Sequence, residues 1–280
     1  MVKINSFREE SPVSSGQEGG FKIAVAGKGG TGKTTLSSLI IQEIVEKNLG
    51  SVLAIDADPN ANLNELLGFE VKGTIGEIEA NVLEGDVDIP PGMTKKRWMK
   101  YNLQQILAEG KGKDLLVMGR GEGPSCYCAV NNILREYLNT LSKNYDFVVM
   151  DNEAGLEHLS RRTTAGIDVL LVVSDGNPVA IKSASRIKGL LDELEIQVDE
   201  SYLVLNRIPE DLPPEVEEKA EELDLELLKK VPRDGELLQL CWSGGTLAEL
   251  GPDSLSKQAV RKLLKEILPK PEKAGTAEHQ

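Results

Sequence analysis

A run of glycines, lysines and threonines near the start of the chain, Gly27-Lys28-Gly29-Gly30-Thr31-Gly32-Lys33-Thr34-Thr35, has the composition of a phosphate cradle. Glycines let backbone N–H groups turn inward around anionic oxygens that bulkier residues would obstruct. Gly27 to Thr34 fits the pattern G-x-x-x-x-G-K-[ST], in which Lys33 reaches the terminal phosphates and Thr34 offers a hydroxyl to Mg²⁺. An apolar strand is expected just before it, at Lys22–Ala26, and a helix just after it. The helix N-terminus would add its partial positive charge to the site. A glycine-rich turn with a chance lysine would not be flanked by a strand and a helix in that order. Lys28 follows the first glycine; taken alone, it is one more loop lysine.

Acidic groups fall where such a cradle needs them. One predicted strand ends in Asp56-Ala57-Asp58-Pro59-Asn60-Ala61-Asn62, and another in Asp151-Asn152-Glu153-Ala154-Gly155. The C-terminal ends of parallel strands form the usual ligand crevice of an open sheet. Carboxylates there bind Mg²⁺ through water or position an attacking water. A single strand-end aspartate is often only a helix cap; three beside a phosphate loop argue for chemistry.

Cys126-Tyr127-Cys128 follows a glycine- and proline-rich approach that reads as a surface loop, where strand-like alternation would point both thiols to one side. Structural metal sites use four ligands, so one C-x-C is incomplete. A two-fold axis would bring two copies together and supply four thiolates, suited to Zn²⁺, Ni²⁺, Cu⁺ or an Fe–S cluster. The competing readings are two small buried hydrophobes or a redox-active pair. Cys241, beside Trp242 at a predicted helix end, is expected to serve packing, and His158 to be either a group supporting the site or surface polarity.

Together, K-G-G-T-G-K-T-T, D-A-D-P-N-A-N-L, C-Y-C and D-N-E-A-G-L-E-H resemble the CooC-type ATPases that mature carbon monoxide dehydrogenase, and the related acetyl-CoA synthase accessory protein. These sit within the deviant Walker A superfamily that includes MinD, partition ATPases and nitrogenase iron protein. The resemblance runs from about Lys22 to Leu268. It implies a homodimer that hydrolyses ATP to ADP with Mg²⁺, in which Lys28 crosses the interface to the partner's nucleotide. Catalysis would rest on Lys28, Lys33, Asp58 and Asp151, with Asp58 as the switch I aspartate, Asp56 its neighbour, and Asp151 opening switch II. Gly29, Gly30, Thr31, Gly32, Thr34 and Thr35 would hold the phosphates. Asn206–Arg207 and the loop with Pro232 and Asp234 would frame the adenine, Asn206 supplying the hydrogen-bonding amide; without the resemblance both read as ordinary turns. Cys126 and Cys128 of both subunits would bridge Ni²⁺ (or Zn²⁺) destined for carbon monoxide dehydrogenase or acetyl-CoA synthase. Neither nucleic acid nor membrane is an expected partner.

Two other classes compete. An electron-transfer or cluster-scaffold ATPase like nitrogenase iron protein or Mrp would need a cluster cysteine just beyond switch II, where this chain has His158 instead. A positioning or partition ATPase would act on membrane or DNA. The net charge of −13 opposes non-specific binding to either polyanion.

The elements that must position these groups alternate as a parallel sheet requires. Strands are expected at Phe21–Ala26, Ser51–Asp56, Asp114–Met118, Asp146–Asp151, Asp168–Ser174, Ser201–Asn206 and about Glu226–Val231. Apolar runs such as Val169–Val173 suit strands covered on both faces. Helical periodicity marks Thr34–Glu46, Asn132–Leu141, Val179–Leu194 and Glu215–Leu223, the last following Pro213–Pro214. The expected fold is one doubly wound, mostly parallel α/β domain of the P-loop NTPase class over residues 21–268. At 280 residues, with 40% hydrophobic and 28% charged, the composition permits it. Residues 69–113 fit the alternation poorly and are either a partner-specific surface or a helical elaboration of the core. A final basic amphipathic helix near Ser254–Leu268 is expected to dock on the sheet rather than lie on a membrane. A disordered extension is expected over 1–20, with no signal-peptide core, and a polar tail over 269–280. No apolar run is long enough to cross a bilayer, so a cytoplasmic location is the default.

Overall fold

The computed structural model describes residues 19–85, 87–120, 128–153, 166–209, 212–223 and 225–269. Residues 1–18 and 270–280, which carry most of the expected extension and tail, lie outside the described residues.

The strands are β1 (Phe21–Gly27), β2 (Val52–Ala57), β3 (Ala108–Glu109), β4 (Lys113–Val117), β5 (Phe147–Asn152), β6 (Ile167–Ser174), β7 (Val198–Ile208) and β8 (Glu226–Pro232). They form one eight-stranded sheet in the order β3-β4-β2-β5-β1-β6-β7-β8. All pairings are parallel except β3 with β4. Each strand expected from the sequence is present, and β3, two residues long, is an addition at the edge. The helices are α1 (Lys33–Glu46), α2 (Leu63–Leu67), α3 (Ile75–Glu84), α4 (Lys95–Gln105), α5 (Cys128–Ser142), α6 (Pro178–Glu193), α7 (Pro214–Glu221), α8 (Gly235–Ser243) and α9 (Leu255–Ile267).

Alternation along the strands feeds two layers, because successive side chains leave opposite faces. Ile23 and Val25 of β1 join Leu36 and Ile40 of α1 and Val260 and Leu263 of α9. Ala24 and Ala26, between them in sequence, meet Leu134 and Leu138 of α5 and Ala184 and Ile187 of α6 on the other face. With β5 and β6 on its two sides, β1 occupies the middle of the sheet and delivers the phosphate loop to its C-terminal edge.

The segment 69–113 carries two helices that pack on the core. Ile75 and Ile78 of α3 and Leu103 of α4 join the second layer of the core. Thr74 begins α3 with a capping box: its hydroxyl accepts from Glu77 N at 3.2 Å, and Glu77 Oε2 accepts from Thr74 N at 2.8 Å. A separate small cluster joins Val82 of α3, Met99 of α4 and Val130 of α5. Lys96 and Lys100 of α4 both bridge to Glu136 of α5, at 2.6 and 2.8 Å.

α9 docks through charge as well as apolar packing. Lys257, 1% exposed, reaches Glu46 of α1 at 2.8 and 3.0 Å and also donates to Leu250 O. Arg261 donates to both oxygens of the fully buried Glu43, at 2.6 and 3.1 Å. Breaking a buried pair strands a charge, which costs about 3–5 kcal/mol, and the half-exposed arginine places this pair near the lower end. Arg261→Met is therefore expected to lower urea-unfolding stability by ~3 kcal/mol. Adding Glu43→Gln should recover part of that loss, because the stranded carboxylate is then gone.

Candidate functional site

Gly27 to Thr35 bend from the end of β1 into α1. Gly32, at the N-cap of α1, has φ 88°, and a Cβ there would come within 2.5 Å of Asn206 Nδ2. Both facts demand glycine. No side chain caps α1, whereas Thr74, Thr94, Asp234 and Ser254 cap α3, α4, α8 and α9. The first N–H groups of α1 are thus left for an anion.

The loop's carbonyls are tied to donors of the protein itself. Lys28 O accepts from Thr31 Oγ1 at 2.9 Å and from Lys33 Nζ at 3.3 Å. Gly30 O accepts from an Arg207 guanidinium N–H at 3.0 Å, and Thr31 O from Asn206 Nδ2 at 2.9 Å. Lys28, Gly29 and Gly30 are exposed, Thr31 and Lys33 are buried, and Thr34 and Thr35 are half-buried.

Lys33, Asp58, Asp151 and Glu153 share one electrostatic neighbourhood. Burial pulls the Lys33 ammonium below its ordinary pKa, against the opposing pull of Asp151, Asp58 and Glu153. Burial pushes the Asp151 carboxyl up to about 6, although the nearby hydroxyls of Thr34 and Ser37 and the charge of Lys33 pull it back. Asp151 Oδ1 accepts from Ser37 Oγ at 3.0 Å, and its Oδ2 is buried without a hydrogen-bond partner among the described residues. Asp56 is pushed up to about 7, again by burial first. Its two oxygens accept from Asp58 N at 3.1 Å and Leu63 N at 3.0 Å, so it braces the loop bearing the half-buried Asp58.

Beside this site Thr35, Leu36, Asn206, Pro232, Leu237 and Cys241 help to line a cavity of about 360 Å³. Asp234 lies in its wall, but its oxygens are engaged. Oδ1 caps α8 through Glu236 N and Leu237 N, and Oδ2 accepts from Ser254 Oγ at 2.6 Å and Ser256 N at 2.9 Å. Burial raises this carboxyl, and those hydrogen bonds outweigh it, for a net downward shift. Asp234 thereby joins the starts of α8 and α9 at the cavity.

Two sequence expectations need correction. Cys241 is exposed rather than packed, because α8 buries Leu237 and leaves Cys241 at the cavity. Cys128 does not belong to an extended loop: it is the first residue of α5, which begins before the expected Asn132. Cys126 and His158 lie outside the described residues. Among the described residues, no group of three or more His, Cys, Asp or Glu side chains could hold a metal ion. Ser37 lies beyond the loop motif and carries no motif signal of its own, but it stands four residues after Lys33 in a helix, a spacing that places both on one face.

A family model described as "CobQ/CobB/MinD/ParA nucleotide binding domain" matches residues 22–243. The chain belongs to this family. The MinD/ParA-type fold is seen in MinD of Aquifex aeolicus, with TM-score 0.64 at 23% identity over 88% of this chain and 98% of that one. A MinD of Pyrococcus horikoshii solved with Mg-ADP gives TM-score 0.63 at 24% identity, covering 88% and 94%. In sequence, an uncharacterized ATP-binding protein of Methanocaldococcus jannaschii is 42% identical over 89% of this chain and 98% of its own length. The carbon monoxide dehydrogenase accessory protein CooC of Rhodospirillum rubrum is 30% identical over 63% and 71%. As a member of the MinD/ParA group, the chain is a nucleotide-binding P-loop protein, and no helix among its described residues is long and apolar enough to cross a membrane.

The raised carboxyls of Asp56 and Asp151 link stability to pH. The folded protein binds more protons than the unfolded chain from about pH 4 up to about 7, so their contribution is lost as pH rises through 6 and 7. Asp151→Asn should therefore show a smaller fall in ligand-free melting temperature between pH 5.5 and 8 than the parent protein.

Proposed function

We propose that this MinD/ParA-family chain is an ATP-hydrolysing homodimer that carries nickel, or zinc, on a cysteine pair and assists nickel insertion into carbon monoxide dehydrogenase or acetyl-CoA synthase. What carries the reading is the coexistence of the Lys28-bearing phosphate loop and Cys126-Tyr127-Cys128 in one chain similar to a carbon monoxide dehydrogenase accessory protein. The architecture supports it from the flanks of the C-Y-C segment. On the N-terminal side, Met118 O accepts from Gly76 N at 2.8 Å, and Gly76 passes so close to the Arg120 carbonyl that a Cβ would collide with it. On the C-terminal side, Val130 is set into the cluster with Val82 and Met99. Helices α3 and α4 thus hold both shoulders of residues 121–127.

In this reading Lys33 binds the terminal phosphates, and Asp58, braced by Asp56, orients the attacking water. Lys28, exposed on the loop, serves the partner's nucleotide. Thr34 and Asp151 would hold Mg²⁺; the buried, unpartnered Asp151 Oδ2 fits that role. When bound, Mg²⁺ neutralises charge on the phosphate oxygens. Nickel is cargo, taken by the thiolates of Cys126 and Cys128 of both subunits, and hydrolysis loosens the dimer so that it can be passed on.

A membrane-positioning role is disfavoured because two of the cations of α9, Lys257 and Arg261, already serve α1. An iron–sulfur role would give the anaerobically purified protein visible Fe–S absorption, and none is expected.

Equilibrium dialysis with Ni²⁺ is expected to give one metal per two chains, and the Cys126→Ser, Cys128→Ser double variant should bind none. Unchanged nickel binding by that variant would sink the metal reading. Lys28→Ala should leave nucleotide binding nearly intact while sharply reducing ATP turnover and ATP-dependent dimerisation by sizing.

A further inference from the structure

Asn206 and Arg207 stand between two halves of the nucleotide site. Both line the cavity beside α1, and both donate into the phosphate loop from outside it. Asn206 Nδ2 lies 2.9 Å from Thr31 O and 3.5 Å from Gly32 O. The amide orientation follows from these partners, since a flipped amide would set oxygen against carbonyl oxygen. The acceptor Oδ1 is then what this cavity-lining residue has left to offer a ligand. The Arg207 guanidinium donates to Gly30 O and also lies against Gly32, where an added Cβ would meet Nε at 3.2 Å.

The backbone at this point is built for the task. The pairing of β7 with β8 is irregular between Leu205 and Ile208, and within that irregularity Arg207 has φ 57°. A bulge of this kind redirects a side chain out of the regular strand alternation. Here it lets two consecutive residues, which a flat strand would send to opposite faces, both reach the same loop. Left-handed backbone at a non-glycine residue is strained and persists where the surroundings enforce it.

A peptide's N–H and C=O point in opposite directions. Holding the Thr31 carbonyl on the Asn206 side therefore turns the Gly32 amide to the opposite, phosphate-binding side, while Arg207 holds the Gly30 carbonyl and the Thr31 amide stays on Lys28 O within the loop. We propose that Asn206 and Arg207 are positioning residues that couple the cavity to the phosphate loop. A base seated in the cavity immobilises the two side chains and so stabilises the form of the loop that binds phosphate. Base recognition then acts on the triphosphate end and not only on the base end. By reciprocity, phosphate in the loop favours a base in the cavity by the same factor.

The test separates the two halves of the ligand. Binding of inorganic tripolyphosphate with Mg²⁺ to the full chain is measured by calorimetry, with and without saturating adenosine. In the parent protein, adenosine is expected to raise tripolyphosphate affinity about fivefold, a coupling within the usual range. Asn206→Ala and Arg207→Gly should each weaken tripolyphosphate severalfold and abolish the adenosine effect. Glycine adopts φ 57° without strain, so Arg207→Gly removes the side chain and leaves the backbone path intact. Arg207→Lys, which restores one donor, should recover part of both effects. A merely structural brace would weaken tripolyphosphate without any adenosine dependence in the parent. The proposal is overturned if adenosine leaves parent affinity unchanged, or if both variants keep the full adenosine effect.

Discussion

A loop that turns its amides toward an anion must dispose of its carbonyls, because each peptide carries both groups on opposite sides. The nucleotide end of this molecule depends on that constraint. Lys33 and Thr31 take one carbonyl from within the loop, and Asn206 and Arg207 take others from β7, 174 to 177 residues away in sequence. The placement of β1 between β5 and β6, with β7 beyond β6, makes those long reaches possible. The bare N-terminus of α1 completes the arrangement by leaving its own N–H groups without a side-chain cap.

The acidic half of the site follows a different logic. Asp56 and Asp151 are buried at the strand ends, where the ionised form is disfavoured. A folded protein that keeps such groups holds a locally unfavourable arrangement that a cationic ligand relieves. Ser37 restrains one oxygen of Asp151 and leaves the other unpartnered, so the carboxylate has a fixed direction before anything binds. Asp56 has become structural through its two backbone partners, and its effect on the site passes through the loop that carries Asp58.

What could be read from the sequence was local. The phosphate loop, the strand-end aspartates and the alternating elements each announce themselves within a dozen residues. The docking of α9 could be read from its apolar stripe, but the partners of Lys257 and Arg261 could not. Glu46 and Glu43 belong to α1, 211 and 218 residues away, and pairing them needs the register of the whole fold. The same holds for Arg207, whose aim depends on an irregularity in the pairing of β7 with β8. Cys241 misled because its neighbours are apolar, while its helix is amphipathic about a cavity edge. The helical start at Cys128 was hidden by the glycines and proline before it, which read as a loop.

The position of β1 has a bearing on the life of the chain during synthesis. The phosphate loop is among the first parts to leave the ribosome, yet β1 gains its two neighbours only when residues 147–152 and 167–174 have followed. The loop's donors arrive with residues 206 and 207, and the carboxylate of Glu43 waits for Arg261 near the end. A nascent chain therefore displays the whole phosphate-binding motif long before the side chains that hold the loop's carbonyls from β7 have been made.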